Sequence, residues 1–169
     1  MIHAIVYTSQ TGNTKAYAEL LSRLTDIPAY PLSAKPEAKE VIFLGWLRAG
    51  GIVGLREAEK LWKVPCVCAV GMSPSSQEQV NELRRKNKVF GETQLFYLQG
   101  GLDLGKLKGP VKLVLTLIAK SAGKKLAAMK TRTPSEEATY RMTKGPYSCV
   151  SEANLKGVVD WCRKQEQAE

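Results

Sequence analysis

Apolar residues fall into short clusters along this chain, separated by stretches of helical spacing. Ile2 to Tyr7, Val41 to Leu47, Val64 to Val70 and Gln94 to Leu98 read as buried strands, too short and too uniformly apolar for surface helices. Ile27 to Leu32 is a weaker strand, and Pro28 and Pro31 restrict it to a sheet edge. From about Asn13 to Leu24 the period lengthens, and Tyr17, Leu20, Leu21 and Leu24 share one helical face. Gly50, Gly51 and Gly54 predict a loop, followed by a short helix from Leu55 to Lys63. Ser75 and Glu78 have capping-box spacing and predict a helix to about Asn87. Pro110 opens a long helical pattern to about Met129. The polar stretch from Thr131 to Ser148 reads as irregular. A last helix begins near Ser151, with Leu155, Val158, Val159 and Cys162 on one face.

Before the long helix the order is β-α-β-β-α-β-α-β, which implies an α/β protein with a mainly parallel sheet covered on both sides. The join from Ser33 to Glu40 is too short for an ordinary helix. A length of 169 residues suits one domain, spanning residues 1–169 with an insertion at about 101–150. Nothing in the sequence reads as a bilayer-spanning run or a cleavable leader, so the expected location is cytoplasmic.

Cys66 and Cys68 alternate within a strand and point to the same face, a spacing that suits buried structural cysteines and neither a zinc knuckle nor a CxxC motif. His3 has no ligand cluster beside it, so no metal site is expected. The net charge is +9, and it is concentrated: Leu104 to Ser135 holds eight lysines and arginines and no acid. Little aromatic interleaving accompanies these charges, which counts against nucleic-acid binding. On the long helix Val111, Val114, Leu115, Ile118, Ala122 and Met129 form a stripe expected to pack inward. Leu113 and Leu117 lie nearly opposite, beside Lys120 and Lys124. That combination, within Lys106–Arg132, suits an anionic membrane surface. It also suits packing against the following loop or another subunit.

Thr8-Ser9-Gln10-Thr11-Gly12-Asn13-Thr14 joins the first strand to the first helix, where a doubly wound sheet places its ligands. The loop offers hydroxyls, a glycine that lets successive N–H groups converge, and a helix N-terminus. Together these hold a phosphate without a lysine. The P-loop pattern fails because Asn13 follows Gly12, and the Rossmann fingerprint fails for lack of glycines. The same residues also suit a hydroxyl-rich turn that only caps a helix.

Ser9-Gln10-Thr11-Gly12-Asn13-Thr14 resembles the flavin-phosphate signature of the flavodoxin family, Ser/Thr-x-Thr-Gly-x-Thr. The resemblance covers roughly residues 1–107 and the last helix. It implies a flavodoxin-like five-stranded parallel sheet in the order 2-1-3-4-5, with flavin mononucleotide (FMN) at its edge. It implies phosphate contacts from Ser9, Gln10, Thr11, Gly12, Asn13 and Thr14. The isoalloxazine ring would then lie between the loops after the third and fourth strands. Trp46, Leu47, Ala49, Gly50 and Gly51 come from the first of these, Met72 and Ser73 from the second. Trp46 suits stacking on the ring or, equally, a core position ending its strand. Arg48 suits a reduced, anionic ring or a solvated loop. The second loop has no tyrosine or tryptophan, which counts against a one-electron carrier and favours direct reaction with a substrate or second cofactor.

Phe96 to Leu107 resembles the flavodoxin-domain subgroup that includes the menaquinone-dependent protoporphyrinogen oxidases, which also carry an insertion near the end of the chain. These observations predict an FMN-dependent oxidoreductase that exchanges electrons with a small molecule or quinone, peripheral to the inner face of a membrane. A soluble electron carrier and a flavin-free binding module are the competing expectations. No residue stands out as a general acid or base, and the oligomeric state is not legible.

Overall fold

The structure is a computed structural model and describes residues 1–103, 105 and 109–167. Its elements run β1 (Ala4–Tyr7), α1 (Asn13–Thr25), β2 (Ala29–Pro31), a 3-10 turn (Leu32–Ala34), β3 (Glu40–Arg48), β4 (Gly51–Ile52), α2 (Leu55–Leu61), β5 (Lys63–Gly71), α3 (Gln77–Lys86), β6 (Gln94–Gln99), β7 (Gly101–Leu102), α4 (Gly109–Ala127), α5 (Pro134–Lys144), β8 (Tyr147–Ser148) and α6 (Glu152–Gln167). The main sheet has the order β2-β1-β3-β5-β6, every neighbouring pair parallel. These are the five expected strands in the expected order. Among the described residues three short strands are additional: β4 folds back antiparallel on β3, and β7 pairs with β8 in a separate ribbon.

Side-chain alternation along the strands builds two cores. Val6, Val41, Phe43, Val67, Ala69, Leu95 and Tyr97 meet α2 and α3 on one face. Ile5, Ile42, Leu44, Cys66, Cys68, Val70 and Leu98 meet α1 and α6 on the other. Tyr17 and Leu21 of α1, and Leu155, Val158, Val159 and Cys162 of α6, are buried there as their spacing predicts. Cys66, Cys68 and Cys162 are therefore core residues. Burial pushes the Cys66 thiol well up, and it pushes Cys162 up to about 12, so neither is a nucleophile near neutral pH.

Four local expectations are corrected. The helix after β5 is capped by Ser76, not Ser75, and the Ser76 hydroxyl accepts from Gln79 N at 3.2 Å. The Gln79 side chain lies against the Tyr97 hydroxyl rather than closing a box. The predicted glycine loop after β3 is instead a hairpin. Ala49 and Gly50 both have positive φ (49° and 76°), the backbone of a two-residue turn that follows strand twist. The stretch expected to be irregular contains α5, capped by a complete box between Thr133 and Glu136 with a proline in the first turn. Ile118, expected to pack inward, is 57% exposed. Among the described side chains of α4, Leu126 is buried, and the helix packs on α5, whose Met142 is buried. Ala122 and Met129 of the same stripe are half-buried, whereas the side chains of Val111, Val114 and Leu115 lie outside the described residues. So do Leu104, Lys106, Leu107 and Lys108, within the segments read from sequence as the subgroup likeness and the basic tract.

Candidate functional site

All the candidate loops sit at the carboxyl end of the parallel strands. In the 9–14 loop, Gly12 adopts φ 97°, a left-handed conformation that a side chain would strain. This kink turns the backbone straight into α1, whose N-terminus has no side-chain cap and no acid in its first turn. The N–H groups there are the open donors that favour an anion. The Ser9 Oγ is buried and has no protein partner among the described residues. A buried hydroxyl without a partner costs about 1–3 kcal/mol, so its persistence at an uncapped helix end fits a ligand that accepts its proton. Thr14 is buried, and Thr11 Oγ1 accepts from Asn13 Nδ2 at 3.4 Å. Thr8 is committed elsewhere. Its hydroxyl donates to Val53 O at 2.7 Å, and its N–H bonds Leu44 O. Thr8 therefore ties the loop to the segment after β4.

The ring-loop candidates divide between two anchored turns. Alternation along β3 puts Trp46 on the α1 face, half-buried at the strand end opposite Val70. The Arg48 guanidinium lies 5.9 Å from the Trp46 ring centre. Leu47 faces the other way, onto the α2–α3 core. The turn of the hairpin is pinned by α3. Lys86 Nζ donates to Ala49 O at 2.6 Å, and Asn87 Nδ2 to Gly50 O at 2.9 Å. Asn87 Oδ1 accepts from Ile52 N at 2.8 Å. Each of these carbonyls thus accepts a hydrogen bond from α3 or its cap, and the closing Arg48–Gly51 pair leaves the N–H groups of Ala49 and Gly50 at the tip of the turn. Met72 is 48% exposed, and Ser73 O accepts from the Tyr97 hydroxyl at 2.6 Å. Burial pushes the Tyr97 phenol up to about 12, so it remains a donor at ordinary pH. Lys86, Asn87 and Tyr97 carry no local pattern that marks them as supports for a site. Their roles depend on contacts made across the fold.

A cleft of about 480 Å³ opens beside the second loop, lined by Ser73 to Ser76, Glu78, Gln79, Glu82, Thr133 and Pro134. The start of α5, through Thr133 and Pro134, thus lines one side of the cleft. A smaller cavity of about 260 Å³, next to Met1, Ile27 and Cys162, lies away from these loops.

A parallel sheet of this order, with a hydroxyl-rich loop running into the helix after its first strand, decides the architecture. The fold is flavodoxin-like. No family model matches the chain, and no curated protein does. Among solved structures, a flavodoxin from the domain Archaea is similar over 85% of this chain and 97% of its own, at 14% identity and a TM-score of 0.35. The assignment stands on strand order and loop geometry rather than on that likeness, and the likeness of Phe96 to Leu107 to the protoporphyrinogen oxidase subgroup gains no support from it. Among the described residues no helix is long and apolar enough to cross a membrane.

Proposed function

We propose that this chain holds FMN and works as a redox protein, passing electrons between the flavin and a small molecule or quinone. The observation that carries the reading is the uncapped N-terminus of α1 beside the buried, unpartnered Ser9 hydroxyl. The phosphate would be held by Ser9, Gln10, Thr11, Gly12, Asn13 and Thr14, through backbone N–H groups and the side chains of Ser9 and Thr11. Trp46 and the Ala49-Gly50-Gly51 turn would flank the ring on one side, Met72 and Ser73 on the other. The flavin, when bound, supplies the redox chemistry. The residues of the chain bind and orient it, and the Asn87 and Tyr97 bonds keep both flanking loops from shifting.

The cleft under Thr133 and Pro134 favours a substrate-using enzyme over a carrier, because it gives a second molecule a place beside Met72 and Ser73. A likeness to menaquinone-dependent protoporphyrinogen oxidases would make a quinone the acceptor. That finer reading rests on residues 96–107, on the insertion expected at about 101–150 and on the missing aromatic of the second loop. The carrier alternative lacks an acidic docking face, given the net charge of +9. A flavin-free module is the third reading. Gently purified protein tests the two flavin readings against the third, and anaerobic reduction in steps then separates carrier from enzyme by whether a semiquinone accumulates. A flavin absorbance spectrum, with FMN binding far tighter than riboflavin, supports the proposal, and well-folded protein that takes up neither refutes it.

We further propose that α4 meets an anionic membrane surface. Leu113, Leu117 and Ile118 are 57–64% exposed, and Lys112, Lys120 and Lys124 are exposed along the same helix. Apolar groups for the acyl boundary and lysines for the headgroups are the two attractions that an interfacial helix combines.

A further inference from the structure

The 9–14 loop is supported from the far end of the chain. The insertion returns to the sheet through β8, and β8 lies against the start of α1. Ser148 Oγ donates to Asn13 Oδ1 at 2.7 Å and accepts from Val150 N at 3.3 Å. With its carbonyl oxygen held by Ser148, Asn13 presents its amide nitrogen to the loop, where Nδ2 donates to Thr11 Oγ1. Thr11, serving as acceptor to Asn13, keeps its own hydroxyl proton for a ligand. The reverse amide orientation would draw the Thr11 proton toward Asn13 and present a lone pair to an anion. Ser148, whose hydroxyl donates to Asn13 in this arrangement, thus anchors the Asn13 amide at the head of the chain of hydrogen bonds that ends in the loop.

Its own position is tightly fixed. Cys149 N bonds Gly100 O at 2.8 Å. A Cβ on Gly101 would come within 1.9 Å of Tyr147 O, so the β7–β8 ribbon closes only around a glycine. The Tyr17 hydroxyl is shared between Gln99 O at 2.5 Å and Cys149 O at 3.1 Å. Asn154 Nδ2 bridges Tyr17 and Cys149 O. The end of β6, the return strand and two helices therefore form one hydrogen-bonded block next to Asn13.

We propose that Ser148 is a positioning residue for a bound phosphate monoester, and that the insertion is coupled through it to ligand binding at the 9–14 loop. The identity of the ligand as FMN rests on the reading above; the coupling does not. Coupling is reciprocal, so phosphate binding must also steady the return strand.

The test compares the parent chain with Ser148→Ala and Ser148→Thr. FMN affinity should fall about five- to ten-fold in Ser148→Ala, the loss expected of one neutral hydrogen bond. Riboflavin affinity should stay unchanged, and Ser148→Thr, which keeps the hydroxyl, should restore FMN binding. Amide exchange of residues 147–150 should slow on FMN binding in the parent and less so in Ser148→Ala. Unchanged FMN affinity in Ser148→Ala, or equal loss for FMN and riboflavin, overturns the proposal. If the parent binds no FMN, inorganic phosphate titrated against the amide signals of Thr11 to Thr14 decides. Shifts in the parent that shrink in Ser148→Ala uphold the coupling while the flavin reading falls. Signals that phosphate leaves unmoved in the parent overturn the coupling as well.

Discussion

Replacing Ser9 with alanine should change ligand-free stability and FMN affinity in opposite directions. In the ligand-free protein the Ser9 Oγ is buried with no protein partner among the described residues. Such a group carries a desolvation penalty of about 1–3 kcal/mol that no protein hydrogen bond among the described residues offsets. Ser9→Ala removes the oxygen and keeps the backbone, so the ligand-free protein should gain about 1 kcal/mol. For a domain of this size that raises the melting temperature by about 2–4 °C. With FMN bound, the same hydroxyl donates to a charged acceptor, a bond worth about 1.5–3 kcal/mol. Its loss weakens FMN between about ten- and 150-fold. Riboflavin has no phosphate and should bind Ser9→Ala as it binds the parent. The assay is a thermal melt with and without FMN, alongside titrations of both ligands. In the parent, saturating FMN raises the melting temperature by mass action; in Ser9→Ala the starting point is higher and the ligand-induced rise smaller. A ligand-free variant that melts lower, or one that binds FMN as tightly as the parent, refutes the reasoning. The first outcome means that the hydroxyl already has a partner in the ligand-free protein. The second means that the phosphate sits elsewhere.

Asn87→Ala removes two hydrogen bonds to the hairpin and leaves Ile52 N–H buried without a partner. It should cost about 2–4 kcal/mol in urea denaturation and weaken FMN and riboflavin alike, because the ring loop rather than the phosphate loop is loosened. The Tyr97 phenol, pushed from its ordinary 10.0 up to about 12 by burial, ionises more readily in the unfolded chain. Its contribution to stability is whole below pH 10 and is lost as pH rises through 12. In denaturation midpoints this decline should be absent from Tyr97→Phe. Changing Lys120 and Lys124 to glutamate should reduce sedimentation with anionic vesicles at low salt, by about 1 kcal/mol per lysine removed, while FMN binding stays intact. Failure of the parent to sediment with such vesicles removes the membrane reading.

The parts of this fold legible in the sequence are those written in short-range periodicity. Alternation of Val41 to Leu44 and of Cys66 to Val70 fixed which residues face which helix layer, and the α1 and α6 stripes are buried as spaced. Residues 131–148 were harder because their polar composition hides a helix. Yet Thr133-Pro134-Ser135-Glu136 carries a capping box with proline at the first position, and that signal outweighs composition. Ile118 failed for another reason. A helical wheel gives the apolar side of α4 but not its partner, and the partner is α5. The hairpin after β3 has no Asn-Gly or Asp-Gly turn. Ala49 adopts positive φ in a turn held by two α3 side chains, so the sequence signal lies 37 residues away, at Lys86 and Asn87. Within the candidate site, Ser9, Thr11 and Gly12 belong to one contiguous motif, whereas Ser148 reaches Asn13 across 135 residues. Local pattern cannot encode a single polar contact at that separation.

The three candidate loops share a structural logic. Each leaves a strand of the parallel sheet, and each is fastened by side-chain-to-backbone or side-chain-to-side-chain hydrogen bonds from a distant segment. The 9–14 loop is held by Thr8 to Val53 and by Ser148 to Asn13, the hairpin turn by Lys86 and Asn87, and the second loop by Tyr97 to Ser73. Loops fixed in this way lose little further freedom when a ligand arrives, which removes one of the main costs of binding. The fastenings also differ in origin. The hairpin and second loop are secured by α3 and β6, elements of the parallel-sheet fold itself. The 9–14 loop is secured in part by β8, which lies between α5 and α6 in a separate ribbon with β7. If the chain holds FMN as proposed, damage to the β7–β8 ribbon should therefore weaken recognition of the phosphate before it weakens recognition of the ring. A comparison of FMN with riboflavin reads that order directly.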